Sequence, residues 1–190
     1  MSQINIRKAK HSDIDQMIEI CEQNLVENNL TKFSAEDFSK KGFLLTRLTS
    51  ENAKKMIDDR KDFVVLVAEN KKENSYEILG YLIGCDIKKS QIDFPSETIA
   101  KKNLAAAKTF YHKQIVKKTA TKNIGKKLLS AMIEMVKDKK YQQIICRIVH
   151  QPFKNEASII FHEKFDFTKI GKMSHAKITF GIYLKNLCSS

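Results

Sequence analysis

The stretch at residues 111–129, YHKQIVKKTATKNIGKKLL, decides how this chain folds. The apolar run at residues 111–116 predicts a β-strand, and Leu128 and Met132 at helical spacing predict a helix after the loop that holds Gly125. A strand, a loop and a helix in this order direct the unpaired N–H groups of the first helical turn toward one point in space. The positive end of the helix dipole faces the same point. This arrangement is suited to holding a phosphate group.

Lysines surround this predicted phosphate site. Five of them lie in or beside the loop: Lys117, Lys118, Lys122, Lys126 and Lys127. Residues 101–140 contain twelve lysines against two acidic residues, in a chain whose formal net charge is +12. Such a local excess attracts a nucleotide cofactor, a nucleic acid or an anionic surface. The alternative for any one of these lysines is a solvated surface position.

Length and composition are those of an ordinary globular protein. The chain has 190 residues, of which 42% are hydrophobic and two are prolines, and we expect a single domain over residues 1–190. No apolar run reaches the roughly 18 residues that a membrane helix needs, and the N-terminus lacks the apolar core of a signal peptide. We therefore expect a cytoplasmic protein that is not associated with a membrane.

The cysteines form no recognisable metal or disulfide pattern. They are far apart in the sequence, without a CxxC pair and without histidines beside them: Cys21, Cys85, Cys146 and Cys188. This spacing favours reduced thiols and predicts neither a zinc site nor a disulfide framework.

The rest of the chain alternates predicted strands and helices. Strands are expected at residues 4–8, 63–68, 78–84, 141–149, 167–170 and 178–184, and helices begin at Ser12, Ser34, Ser50 and Asn155. Ser12 with Asp15 and Ser34 with Asp37 have capping-box spacing. The glycines of the strand at 78–84 indicate a bulge or a close backbone approach. Residues 88–110 are an irregular insertion with a possible helix at 98–108.

In this order of elements the chain resembles the GNAT superfamily of N-acetyltransferases over nearly its whole length. The Ile-Arg-Lys-Ala start followed by Asp13 resembles the first strand and helix of that family, and Leu79-Gly80-Tyr81 resembles its next hairpin. The phosphate loop of the family, Gln/Arg-x-x-Gly-x-Gly/Ala, matches Ala120, Lys122, Asn123, Ile124 and Gly125. Its later motif of Asn, Phe-Tyr and Gly-Phe reads here Asn155, Ser158, Phe161, His162, Asp166 and Phe167.

The resemblance implies an α/β (α+β) fold with a mixed, mostly antiparallel central sheet of about six or seven strands flanked by helices. It also implies transfer of an acetyl group from acetyl-CoA, without a metal, to a primary amine that attacks directly in a ternary complex. The acceptor would be a small molecule or a peptide, and the protein a monomer or homodimer. The implied cofactor-binding residues are Ile115, Val116, Lys117, Lys122, Asn123, Ile124, Gly125, Lys126, Asn155 and Ser158.

Two positions of the loop depart from the family pattern. Ala120 stands where Gln or Arg is usual, and Asn123 stands where the family has its middle glycine. That glycine allows the backbone to approach the pyrophosphate with positive φ, and Asn tolerates this conformation best after glycine. Because the loop binds through backbone N–H groups, the lost side chain at Ala120 need not abolish binding, and the lysines can compensate for it. Weaker binding of the cofactor is the alternative. Asp166 replaces a further glycine before Phe167, at a predicted turn.

His162 is the candidate catalytic residue. It occupies the position where many members carry a tyrosine thought to protonate the leaving thiolate of coenzyme A. Asn155, Ser158 and His162 share one face of their predicted helix. A histidine of near-neutral pKa can donate a proton or position the thiol, and the alternative is a half-buried histidine that only packs.

The sequence does not identify a general base. Glu69, Asp86 and His112 lie near strands that would border the cleft, but each is more typical of a surface position. Acceptor specificity would reside in the variable segments at residues 25–57 and 88–110.

Two other functions remain open at this point. The changes at Ala120 and Asn123 are compatible with a catalytically idle GNAT-like protein that binds coenzyme A or a protein partner. Charge alone suggests a nucleic-acid-binding protein. That reading is weaker, because the basic window has few aromatic residues and no RNP, KH or zinc-finger pattern.

Overall fold

The computed structural model describes residues 4–71, 75–90, 92, 94–95, 107–119 and 121–187. Within these ranges the chain forms seven strands and five α-helices. The strands are β1 (Ile4–Lys8), β2 (Phe63–Lys71), β3 (Tyr76–Asp86), β4 (Thr109–Lys117), β5 (Gln143–Gln151), β6 (Thr168–His175) and β7 (Ile178–Asn186). The helices are α1 (Ile14–Asn24), α2 (Ala35–Lys41), α3 (Ser50–Asp58), α4 (Ile124–Asp138) and α5 (Glu156–Glu163), with short 3-10 turns at His11–Asp13 and Ile87–Lys89.

The seven strands form one sheet in the order β1-β2-β3-β4-β5-β7-β6. The pairs β1–β2, β2–β3, β5–β7 and β6–β7 are antiparallel, and β4–β5 is parallel. The parallel pair is the one whose connection contains α4, since two parallel strands need a long crossover. The predicted mixed, mostly antiparallel sheet flanked by helices is confirmed.

The chain divides into two compact units. The first comprises Met1–Asn29, Leu44–Cys85 and Lys113–Met135, and the second comprises Leu30–Phe43, Asp86–His112 and Val136–Ser190. The expectation of a single domain over residues 1–190 stays a prediction. Among the described residues, no helix is long and apolar enough to span a membrane.

The first unit is built around the buried faces of α1, α3, β2 and β3. Met17, Ile20, Val67, Tyr81 and Ile83 are fully buried members of its core. The apolar run FVVLVA of β2 is buried from its second residue onward, as its continuous hydrophobicity predicts.

The glycine-containing strand β3 carries the irregularity that its sequence indicates. Ala68 pairs with Gly80 and Glu69 pairs with Ile78, so Leu79 is an extra residue in β3. This is a β-bulge, which strengthens the local twist of the strands.

The second unit buries rings from β4, β5, β7 and the segment after α5. Phe110 packs edge to face against Tyr141, and Phe167 and Tyr183 are almost fully buried. Asp166, which replaces a glycine of the family motif, has φ +61° and forms the predicted turn before Phe167.

Helix α2, also in the second unit, has the capping box expected from its sequence. The Ser34 hydroxyl accepts from the Asp37 N–H, and the Asp37 carboxylate accepts from the Ser34 N–H. Gly42 ends the helix with φ +77°.

The predicted capping box at Ser12 and Asp15 is wrong. The N-cap of α1 is Asp13, and in the preceding 3-10 turn the Asp13 carboxylate accepts from the Lys10 N–H at 2.7 Å. Asp13 takes this position because its side chain is fully buried and paired with Arg7, whereas Ser12 is exposed. Apart from its last two residues, the possible helix at 98–108 lies outside the described residues, as does most of the predicted insertion at 88–110.

Candidate functional site

Strand β4 leaves its pairing with β5 early. The parallel ladder joins Thr109 to Gln143, Phe110 to Ile144 and Tyr111 to Ile145, and no later residue of β4 is paired with β5 in this fully described part of the chain. The later half of the strand, from Lys113, belongs to the first unit. It contains Ile115 and Val116, the residues for which the sequence predicts backbone pairing with a ligand. A strand that leaves a ladder presents backbone N–H and C=O groups to which an extended ligand can bind.

The loop after β4 begins at a fixed position on β3. The Lys118 N–H donates to the Leu79 carbonyl at 2.9 Å, beside the bulge. The Lys118 carbonyl in turn accepts from the N–H and the hydroxyl of Thr121, at 3.1 and 2.6 Å. These bonds turn the chain from the strand toward α4.

Asn123 supplies the conformation that the loop needs before α4. Its φ is +61°, so it occupies the left-handed region that the family glycine would occupy. The Lys127 N–H donates to the Asn123 carbonyl at 3.1 Å, which closes the first turn of α4. The N–H groups that precede Lys127 in this first turn have no acceptor within the helix. The backbone of Asn123–Lys126 therefore provides the donors predicted from the sequence.

The side chains of the loop differ in what they can contribute. Ile124 is fully buried, so only its backbone can meet a ligand. Lys122 and Lys126 are exposed, and Gly125 is half-buried. Lys117 is half-buried, and this burial lowers its pKa. The remaining match to the family loop, Ala120, lies outside the described residues.

Lys118 has a partner within the first unit. Its ammonium group lies 2.8 Å from the Glu77 carboxylate. The positive charge of Lys118, one of the five lysines in or beside the loop, is therefore paired with Glu77.

Asn155 and Ser158 lie in the second unit, and Asn155 is engaged there by both ends of its side chain. Its Oδ1 accepts from the Ser158 N–H at 3.0 Å, which makes it the N-cap of α5 as predicted. Its Nδ2 donates to the buried carbonyl of Phe43 at 3.2 Å. The Ser158 hydroxyl lies 3.3 Å from Nδ1 of His162.

His162 is buried rather than half-buried, with 3% of its surface exposed. Its Nδ1 donates to the Ser158 carbonyl at 2.7 Å, which leaves the Nε2 atom with a lone pair. Burial lowers the pKa of His162 to about 4, although the bond to Ser158 acts in the opposite direction. This pKa lies below the near-neutral range that suits proton donation, because the ring is buried and contacts Phe161 and Phe167 edge to face.

Two of the three residues considered as a general base are buried, contrary to the expectation of surface positions. Glu69 is 4% exposed and accepts from Asn5 and Arg7, and His112 is 3% exposed and packs on the ring of His162. Asp86 is half-buried and accepts from the Tyr141 hydroxyl at 3.0 Å.

The second unit also brings together three residues that the sequence did not connect. His112, Cys146 and His162 each place one potential ligand atom within 4.8 Å of the other two, and all three side chains are buried. They come from β4, β5 and α5, and no short spacing in the sequence relates them. Only the parallel pairing of β4 with β5 and the packing of α5 could have revealed the cluster.

The predicted site residues thus form two groups. Those of β4, the loop and α4 lie together in the first unit, and Asn155, Ser158 and His162 lie together in the second.

No protein-family profile and no curated protein matches the sequence. Solved structures match it at low identity over almost the whole chain. An N-acetyltransferase from Staphylococcus aureus Mu50 has 21% identity and a TM-score of 0.63, covering 98% of this chain and 100% of its own. The PaiA N-acetyltransferase from Thermoplasma acidophilum, solved with coenzyme A, has 16% identity and a TM-score of 0.63, covering 97% and 99%. A ribosomal-protein-alanine N-acetyltransferase from Brucella melitensis has 18% identity and a TM-score of 0.64, covering 96% and 99%.

These likenesses extend over 96–98% of this chain. The chain has the fold of the GNAT N-acetyltransferases.

Proposed function

We propose that this protein is an N-acetyltransferase that takes its acetyl group from acetyl-CoA. The observation that carries the proposal is the course of β4: it leaves the ladder with β5 after Tyr111 and leads through Asn123, at positive φ, into the first turn of α4. Such a segment offers backbone groups to an extended chain, followed by helix N–H donors for a phosphate. Coenzyme A has the two matching parts in the same order, an extended pantetheine arm and then a pyrophosphate.

The first unit would hold most of the cofactor. The backbone of Ile115 and Val116 would pair with the pantetheine amides, and the half-buried Lys117 ends this strand. The N–H groups of Asn123–Lys126 would receive the pyrophosphate oxygens. The exposed ammonium groups of Lys122 and Lys126 would add Coulombic attraction.

Within the second unit, we assign a role in cofactor binding to the side chain of Ser158 rather than to that of Asn155. Both polar atoms of the Asn155 side chain are engaged, by the Ser158 N–H and the Phe43 carbonyl. Ser158 is half-buried. Unlike the Asn155 side chain, its hydroxyl can still accept or donate a further hydrogen bond. We therefore assign Asn155 to fixing the start of α5.

The reaction requires a neutral primary amine. Its lone pair attacks the thioester carbonyl, a C–N bond forms, and the carbonyl oxygen becomes an oxyanion that a backbone N–H of β4 would stabilise. When this intermediate collapses, the C–S bond breaks and the thiolate of coenzyme A leaves. One proton is lost from the amine nitrogen and one is gained by the thiolate.

We assign His162 the thiol-positioning role rather than the acid role. At neutral pH its only N–H, on Nδ1, already donates to the Ser158 carbonyl. A ring with a lone pair on Nε2 can accept a hydrogen bond from a thiol, but it has no second proton to give to a thiolate. The proton for the leaving thiolate would therefore come from another donor.

Calorimetric titration with acetyl-CoA tests the proposal. The titration is run at about 50 and 300 mM salt, with a short RNA as the control ligand, because binding that depends on charge alone weakens steeply with salt. We expect one acetyl-CoA per chain at both salt concentrations. Salt-sensitive binding of RNA without any heat from acetyl-CoA would contradict the proposal.

The variant Gly125→Val tests the loop. A β-branched side chain in the first turn of α4 should obstruct the approach of the pyrophosphate and weaken acetyl-CoA binding at least tenfold, or about 1.4 kcal/mol. Ser130→Val places the same side chain at an exposed position of the same helix and should bind normally. A release assay for free thiol over a panel of amines then separates an enzyme from a protein that only binds the cofactor.

A further inference from the structure

Three side chains that bind soft or borderline metals meet inside the second unit. His112 comes from β4, Cys146 from β5 and His162 from α5, and 3%, 2% and 3% of their surfaces are exposed. One ligand atom from each lies within 4.8 Å of the other two. We propose that these three residues form a binding site for a zinc ion.

The types of ligand fit zinc better than the other common cations. Zinc binds imidazole nitrogen and thiolate sulfur, whereas magnesium and calcium prefer oxygen. Among the residues that the structure describes, no carboxylate belongs to the cluster. Two nitrogens and one sulfur are a ligand set that leaves one position of a tetrahedral zinc for water or another small ligand.

The distances agree with coordination. Zinc–nitrogen and zinc–sulfur bonds of about 2.1 and 2.3 Å place tetrahedral ligand atoms roughly 3.3–3.6 Å apart. Nε2 of His162 and Nδ1 of His112 are 3.3 Å apart. All three ligand atoms lie within 4.8 Å of one another. The longest of these distances must therefore shorten by about 1 Å at most for coordination, which small rotations of the side chains can supply.

The orientation of His162 is that of a metal-binding histidine. Its Nδ1–H donates to the Ser158 carbonyl at 2.7 Å, so the lone pair of Nε2 is directed toward His112. A zinc ion would take the same lone pair that the proposed function gives to the coenzyme A thiol. The two roles therefore belong to the zinc-loaded and the zinc-free protein, respectively. A backbone carbonyl that holds the second ring nitrogen is a common arrangement behind metal-binding histidines, because it fixes the tautomer and the plane of the ring.

Cys146 must lose its proton when the metal binds. A buried cysteine that binds no metal is present as the thiol. On binding, the S–H bond breaks, a zinc–sulfur bond forms, and one proton is released to the solvent for each zinc bound. No electrons are transferred, so the step needs no oxidant or reductant.

The same three residues could instead form a metal-free hydrogen-bonded cluster. A separation of 3.3 Å between the two histidine nitrogens also suits a hydrogen bond from Nδ1 of His112 to Nε2 of His162. The two cases differ in affinity for metal, in proton release and in the presence of sulfur around a bound ion. These are the quantities to measure, and acetyl-CoA is left out so that the result does not depend on the proposed function.

The experiment begins with chelator-treated protein that is titrated with zinc and, in parallel, with cobalt as a spectroscopic substitute. We expect one zinc per chain, release of one proton, and a sulfur-to-cobalt charge-transfer band in the near ultraviolet. Bound zinc should also raise Tm by about 5 °C or more when zinc is in large excess over its Kd.

Matched cysteine variants identify the ligand. Cys146→Ser should lose the charge-transfer band and bind zinc at least tenfold more weakly, while Cys85→Ser, at a cysteine equally buried in the first unit, should keep both properties. The absence of stoichiometric zinc binding by the parent protein would overturn the proposal, as would an unchanged cobalt band in Cys146→Ser.

A second measurement covers the case in which Cys146→Ser does not fold. X-ray absorption of the zinc-loaded parent protein counts the scatterers around the ion without any mutation. One sulfur with two or three nitrogen or oxygen neighbours supports the site. A shell without sulfur excludes it.

Discussion

The backbone carbonyl of Val116 lies so close to Gly80 that position 80 has no room for a side chain. A Cβ built on Gly80 would be 2.7 Å from the Val116 oxygen and 2.9 Å from Cγ2 of Ile124. Val116 is near the end of β4 and Ile124 begins α4, so this contact fixes both ends of the proposed pyrophosphate loop against β3. The position of the loop therefore depends on the absence of a side chain at residue 80.

Gly80→Ala should displace the loop and weaken acetyl-CoA binding. The added methyl group meets a backbone atom that cannot rotate away, so we expect a loss of about 1–3 kcal/mol in the free energy of unfolding. Acetyl-CoA affinity should fall at least fivefold. Gly181→Ala is the matched control in β7, where the nearest atoms belong to the side chains of His150 and Tyr183. Urea denaturation and calorimetry measure the two effects, and equal acetyl-CoA affinity in both variants would contradict the role given to Gly80.

Asn123 can be tested through its positive φ. Asn123→Gly should keep or improve acetyl-CoA affinity, because glycine adopts this conformation without strain. Asn123→Val should destabilise the protein by roughly 1–2 kcal/mol and weaken binding, because a β-branched residue is strained there. Lys140→Val carries the same strain at φ +62° in the turn after α4 and should lose stability without losing affinity. Identical binding by the two Asn123 variants would mean that the loop does not hold the cofactor.

The sequence predicted those features that depend on neighbours along the chain. Ser34 and Asp37 form their capping box, Asn155 caps α5, and Asn123 adopts the positive φ expected from its place in the loop. The partners in the two caps are three residues apart, and the φ of Asn123 depends on its own residue type, so the local sequence alone carries the information. Ser12 is the exception, because the burial and ion pairing of Asp13 decide where α1 begins.

Features that depend on distant partners were not predictable. Glu69 is buried because Arg7 and Asn5, from β1, satisfy its carboxylate. The contact between His112 and His162 requires the packing of α5 against β4, which no pattern in either segment encodes. Burial of a polar residue is set by its partners, and these are known only once the register of the strands is known.

Acid should destabilise the first unit through Asp13 and Glu69. Burial alone would raise the pKa of Asp13, but the hydrogen bonds from Arg7 and Lys10 outweigh it, and its pKa lies below the usual value. The bonds from Asn5 and Arg7 likewise lower the pKa of Glu69. Because both folded-state pKa values lie below those of the unfolded chain, this stabilisation is complete above about pH 5. It is lost as the pH falls through about 4 toward the folded-state values.

Asp13→Asn separates this ion pair from general acid unfolding. The change leaves Arg7 without one of its carboxylates, so we expect a loss of about 2–3 kcal/mol at pH 7. Between pH 5 and 3 the stability of the variant should fall less than that of the parent protein. Asp15→Asn, at an exposed position in the first turn of α1, is the control. Parallel stability curves for the parent protein and Asp13→Asn would show that Asp13 does not cause the pH dependence.

His162→Phe distinguishes a thiol-positioning role from packing. If Nε2 accepts the thiol hydrogen, the chelator-treated, zinc-free parent protein should bind coenzyme A about fivefold more tightly than an analogue that lacks the sulfur, since a hydrogen bond contributes about 1 kcal/mol. His162→Phe should bind both ligands equally and should lower kcat more than it raises KM. His150→Phe, another histidine of the second unit, should retain the preference for coenzyme A. A purely structural His162 would instead change Tm while the ratio of the two affinities stayed that of the parent protein.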